Sequence, residues 1–177
     1  MYGNKGHGYA FQAVTDAFGL IVDLSGPYVG RYNDHMMRLE SRIEERLELV
    51  LTAEQLPTIN LLTDKLYGAG TFVRPLYRGL LVAAAQQENN VNSAIRTSGE
   101  WPFGKIAENW QGLFLVNGVK PLESPHGKNY ALCALLTNAH TILNGSQSQS
   151  YFSRPAGSCT VNLDFSNTFM EDYFSFI

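Results

Sequence analysis

Residues 9–15 alternate with a period of two. Tyr9, Phe11, Ala13 and Thr15 fall on one side, and Ala10, Gln12 and Val14 on the other. That spacing predicts a half-buried strand. Asp16-Ala17-Phe18-Gly19 follows as a turn sequence, and residues 20–25, Leu-Ile-Val-Asp-Leu-Ser, form a second strand. Two strands joined by four residues predict an antiparallel hairpin. What comes after it has helical period, so the chain is of mixed α/β type.

Gly26-Pro27-Tyr28-Val29-Gly30 predicts a loop, and Asn33 or Asp34 can cap the helix beyond it. Met36, Met37, Leu39, Ile43, Leu47 and Val50 recur at helical spacing. Arg38, Glu40, Arg42, Glu44, Glu45, Arg46 and Glu48 cover the solvent side. Pro57 ends this region. Residues 58–63 are a short, largely apolar run of the kind that makes a strand buried on both faces, and the run stops at Asp64. A short strand is expected over 72–77. A helix is expected over 86–113 with a kink at Pro102. Another covers 129–143, with Tyr130, Leu132, Cys133, Leu135, Leu136, Ala139 and Leu143 mostly inward. Ser146-Gln147-Ser148-Gln149-Ser150 has linker composition. The reading is one domain over 1–145 and a flexible acidic and aromatic tail over 146–177.

Composition removes several function classes. No run of 18 apolar residues exists, and no apolar stretch follows the first residues, so neither a membrane span nor a secretory leader is expected. A nuclear or cytoplasmic location follows. Cys133 and Cys159 are too few and too far apart for a disulfide framework or a structural zinc site. The chain has 13 Lys plus Arg against 16 Asp plus Glu, and Asp164, Glu171 and Asp172 account for the excess. The body is therefore neutral. Tight autonomous DNA binding is not expected, because it is built on neutralising many phosphates.

An acid at the end of an apolar strand stands where α/β sheets place their sites. Read singly, Asp64 starts a turn, and Glu100 is a solvated helix glutamate. Asp34 reads as a helix cap. Lys5, Arg31, Lys65, Arg96 and Lys105 read as solvated cations that could also meet phosphates. His7, His35, His126 and His140 form no metal-binding spacing. The company of Asp64 and Glu100 changes their reading, since 35 residues separate a strand-ending acid from a helix acid.

In order along the chain stand Tyr2-Gly3-Asn4-Lys5-Gly6-His7 with Phe11-Gln12, and Gly19-Leu20-Ile21-Val22 with Gly26-Pro27-Tyr28-Val29-Gly30-Arg31-Tyr32-Asn33-Asp34. Then come Leu62-Thr63-Asp64-Lys65-Leu66-Tyr67-Gly68, the Arg96 to Ile106 stretch with Glu100-Trp101-Pro102-Phe103-Gly104, and Ala134-Leu135-Leu136-Thr137-Asn138-Ala139-His140. This succession resembles the catalytic domain of the DDE superfamily endonucleases, the Harbinger-type DNA transposases and their host-derived relatives. Asn33 replaces the family's usual histidine.

The resemblance implies a ribonuclease H-like fold, a mixed sheet flanked by helices. It implies phosphodiester cleavage or strand transfer on DNA, with two divalent ions, Mg²⁺ or Mn²⁺, held about 3.5–4 Å apart by three acids. Asp64 and Glu100 then match the second and third acids, as catalytic and metal-binding residues. In the family the first acid ends a central first strand upstream of the Tyr2 block, and neither Asp16 nor Asp23 matches that position. The chain is therefore expected to lack its first strand and to have an incomplete two-ion site. Residues 59–63 should then either face the hairpin across a gap or pair with it directly. The implied partner is DNA, bound weakly by this chain alone, with a separate DNA-binding protein guiding it. The alternative is a host-adapted interaction protein without catalysis, or a pseudogene fragment.

Overall fold

The computed structural model describes residues 8–30, 32–64, 67, 70–77, 79, 82–113 and 125–152. The period-two segment forms β1 (Tyr9–Thr15), which pairs with β2 (Ile21–Val29) in a two-stranded sheet. Asp16 shapes the turn between them. Its Oδ1 accepts from the Phe18 N–H at 2.9 Å and the Leu20 N–H at 2.8 Å. The loop expected at 26–30 is instead the continuation of β2. Asp16 N–H reaches Leu20 O at 3.0 Å, and Gly30 N–H reaches Gly8 O at 2.9 Å, so β2 carries two more residues than β1 between these pins. Gly26 (φ +129) lies in that stretch, where a Cβ would stand 2.9 Å from Ala10 O. A turn-forming Gly-Pro pair is compatible with a strand when it forms a bulge.

Contacts divide the chain into two units, Met1–Val14 with Leu24–Thr97, and Thr15–Asp23 with Ser98–Ile177. In the first unit the helix expected over 36–50 is two helices, α1 (Asp34–Ser41) and α2 (Ile43–Val50), divided at Arg42 with φ 50. Asn33 is the cap: its Oδ1 accepts from Met36 N–H at 2.8 Å. The break turns the apolar face. Met37 and Ile43 are buried, whereas Met36, Leu39 and Val50, expected inward, are exposed. Arg38, expected in solvent, is buried. Gln12 on β1 is buried as well, and its Nε2 donates to Ser41 Oγ at 3.0 Å.

A 3₁₀ turn (Leu56–Thr58) takes the start of the apolar run, so β3 is only Leu61–Thr63 and is half-buried. It pairs in parallel with β4 (Val73–Pro75), Leu61 opposite Val73. Among the described residues this is a second two-stranded sheet, and β3 does not pair with the hairpin. α3 (Ala83–Ser98) follows.

In the second unit the helix expected through 113 restarts as α4 (Trp101–Asn109). Pro102 lies in its first turn, where a missing N–H costs nothing, so it begins a helix rather than kinking one. α4 packs on α5 (His126–Asn144), and Ile106 of α4 is fully buried. α5 buries Ala134, Thr137, Asn138, Thr141 and Ile142, at helical spacing. The expected inward face with Leu132, Leu136 and Leu143 is exposed. Hydrogen bonding explains the rotation. Asn138 accepts from Ile21 N–H at 2.9 Å and donates to Ile21 O at 2.8 Å, as a neighbouring strand would. Thr137 Oγ1 accepts from Trp110 Nε1 at 3.0 Å.

The linker expected from Ser146 is helical, as α6 (Gln147–Phe152), with Ser146 and Ser148 buried. Gly19 (φ +77) makes room for it, since a Cβ there would lie 2.7 Å from Ser148 Oγ. Ser146 Oγ donates to Phe18 O. Residues 153–177 of the expected tail lie outside the described residues. No helix among those described is long and apolar enough to cross a membrane.

Candidate active site

β3 ends at Thr63 and delivers Asp64, half-buried, to the first position of the loop leading to β4. Asp64 O accepts from Tyr67 N–H at 3.1 Å. Burial pushes the Tyr67 phenol up to about 12, and the Asp34 and Asp64 carboxylates and Tyr28 add to the shift by disfavouring its ionisation. One phenol therefore feels both acids, and the structure brings Asp34 and Asp64 to the same neighbourhood. Asp34 heads α1, where its charge suits the helix N-terminus, but the capping bond belongs to Asn33. Tyr28 stacks on Tyr32 with ring centroids 5.7 Å apart.

The loop after Asp64 is held from α1. His35 Nδ1 lies 3.2 Å from Tyr67 O, and Arg38 Nη1 donates to the same carbonyl at 2.9 Å. Arg38 Nη2 also stands 3.4 Å from Glu44 Oε2. Sequence reasoning missed Tyr67, Arg38 and Glu44 as members of this cluster. Tyr67 sits in the strand-ending block quoted above and could have been found there. Arg38 and Glu44 gave no such signal, because both fit the polar side of a straight helix.

Glu100 lies in the second unit, whereas Asp64 lies in the first. It is the exposed residue immediately before α4 and makes no side-chain cap bond there; its carbonyl accepts from Gly104 N–H at 3.3 Å. Lys105, one turn along α4, lines a recess with Gly19, Trp101 and Ser148. Arg96 is in the last turn of α3 and is partly buried. Lys5, Arg31 and Lys65 lie outside the described residues.

Carboxylate oxygens are the right donors for a hard divalent ion. Among the described residues, however, no group of three or more His, Cys, Asp or Glu side chains is assembled to hold one. The acids described here do not by themselves make the donor set that the resemblance implies.

The family model described as DDE superfamily endonuclease matches residues 1–138, and both Asp64 and Glu100 fall inside the match. No curated protein and no solved structure matches the chain.

Proposed function

The chain belongs to the DDE superfamily of endonucleases, and from that premise we propose that it is a transposase-derived nuclease domain acting on phosphodiester bonds of DNA. The finer assignment is the Harbinger type, with a ribonuclease H-like ancestry for its sheets. The observation that carries the reading is Asp64, a half-buried acid placed directly after a strand inside the matched region. Asp64 and Glu100 are its site acids. Arg96 and Lys105, with Lys5, Arg31 and Lys65, are its candidate phosphate contacts. In the family's chemistry Mg²⁺ or Mn²⁺ activates a water or 3′-hydroxyl and stabilises the leaving oxygen. Asp64 and Glu100 are two acids where the family's centre uses three, so the two-ion centre of this chain is read as incomplete.

The experiment is nicking of supercoiled DNA in Mg²⁺ or Mn²⁺. The chain as it stands is compared with one joined at its N-terminus to a strand ending in Asp. Activity is expected only in the lengthened chain, and Asp64→Asn or Glu100→Gln should abolish it there. Equal activity in both chains overturns the assignment of the missing acid. Inactivity of both, with a cooperative fold, favours the second reading. That reading is a non-enzymatic interaction protein keeping the family's fold, which the neutral charge of residues 1–159 also supports.

A further inference from the structure

Asp64 begins the segment that joins β3 to β4. The strands run parallel, and nine residues, 64–72, carry the chain from the end of one to the start of the other. Parallel crossovers usually take a dozen residues or more. Asp64 stands at the first position of this short return and its carbonyl accepts from the Tyr67 N–H at 3.1 Å, so whatever fixes Tyr67 bears on the acid's backbone.

Arg38 is the side chain best placed to do so. It is buried, its Nη1 donates to Tyr67 O at 2.9 Å, and its Nη2 stands 3.4 Å from Glu44 Oε2. On an unbroken helix, residues six apart lie about 120° apart around the axis and about 9 Å apart along it. Arg38 and Glu44 could not meet on such a helix. The left-handed Arg42 that ends α1 and starts α2 brings Glu44 back to Arg38. Gly70 completes the arrangement from the loop side. A Cβ there would collide with Glu44 Oε1 and stand 2.6 Å from Arg38 Nη2. His35 adds a second contact to the same Tyr67 carbonyl.

We infer that Arg38 is a positioning residue for Asp64: paired with Glu44, it clamps the Tyr67 carbonyl and, through the Tyr67 N–H that donates to Asp64 O, holds the backbone of the acid. The inference rests on the reading of Asp64 as a site acid. A planar guanidinium can bond a carbonyl and a carboxylate at once, which an ammonium cannot do in the same geometry. The carboxylate partner is what makes burial of that cation tolerable.

The test is hydrogen exchange at the Tyr67 amide, which donates to Asp64 O. The Gly30 amide, bonded to Gly8 O in the same unit, serves as the reference for folding of that unit. Arg38→Met should speed Tyr67 exchange about tenfold or more and leave Gly30 unchanged. Arg38→Lys, which keeps the charge but not the fork, should behave like Arg38→Met; a return to the parent rate would overturn the role of the fork. Where Arg38→Met unfolds the protein, Gly70→Ala is read the same way, because it crowds the pair while keeping both charges. Unchanged Tyr67 exchange in a folded variant overturns the clamp, and so does loss of Gly30 protection in both variants. Asp64→Asn in the nicking assay separates the two readings. An Asp64→Asn variant of the lengthened chain as active as the lengthened parent overturns Asp64 as a site acid, whatever the exchange result.

Discussion

Asp16 holds the hairpin turn with a carboxylate that two backbone N–H groups bond but that burial disfavours. Burial is the larger effect and raises its pKa above 3.8. The folded state therefore binds the proton more tightly than the unfolded chain. The stability this lends is full below 3.8 and is lost as pH rises through the raised folded value. Asp16→Asn keeps an acceptor oxygen and removes the charge, so denaturant titrations should show that part of the pH profile flattened. Asn138 poses the opposite case. Asn138→Ala strands the N–H and C=O of Ile21, both satisfied by its amide, at a cost of about 2–4 kcal/mol, measurable by urea unfolding. At this scale the sequence exposed the strand-end position of Asp64, because an acid that stops an apolar run is visible in a line of letters. It hid Arg38 and Asn138, because their partners are set by tertiary contacts 29 and 117 residues away.

The helix break at Arg42 is the clearest element-scale departure from sequence pattern. Apolar spacing over 36–50 fits one helix, and no glycine or proline interrupts it. The backbone nevertheless turns left-handed at an arginine, a conformation that costs a side-chain-bearing residue about 1 kcal/mol. Arg42→Gly should therefore raise thermal stability by about that amount, since the exposed Arg42–Glu45 pair given up is worth little. A drop in midpoint temperature would mean that Arg42 makes contacts outweighing its backbone. Strands were legible where alternation or turn chemistry marked them, as in β1 and the Asp16 turn. β3 was legible in place but not in extent, because Pro57 draws its first residues into a 3₁₀ turn. The serine- and glutamine-rich start of α6 was illegible. Its serines are buried by local fit against the Gly19 turn, and composition carries no such information.

For the whole molecule, charge sets the limit on DNA contact. Five candidate cations, Lys5, Arg31, Lys65, Arg96 and Lys105, allow a log K against log salt slope no steeper than about −4.5 on duplex DNA. Fluorescence anisotropy across salt concentrations measures it, and replacing any true contact by Gln should make the slope shallower by about 1. A much steeper slope would place the interface elsewhere. The mixed α/β class was readable from a hairpin followed by helical periods. The two-unit division was not, because the hairpin's strands belong partly to each unit and no composition change marks the crossing. That threading has a consequence during synthesis. Ile21 and Phe18 obtain their partners, Asn138 and Ser146, from 117 and 128 residues downstream. At about 5–20 residues per second, the ribosome takes roughly 6–23 s to supply Asn138 after Ile21. For that interval the nascent hairpin presents an open strand edge to the cell, the state most prone to pairing with a neighbouring chain. The moment of greatest aggregation risk for this protein therefore falls on the polysome, before Asn138 and Ser146 have been made.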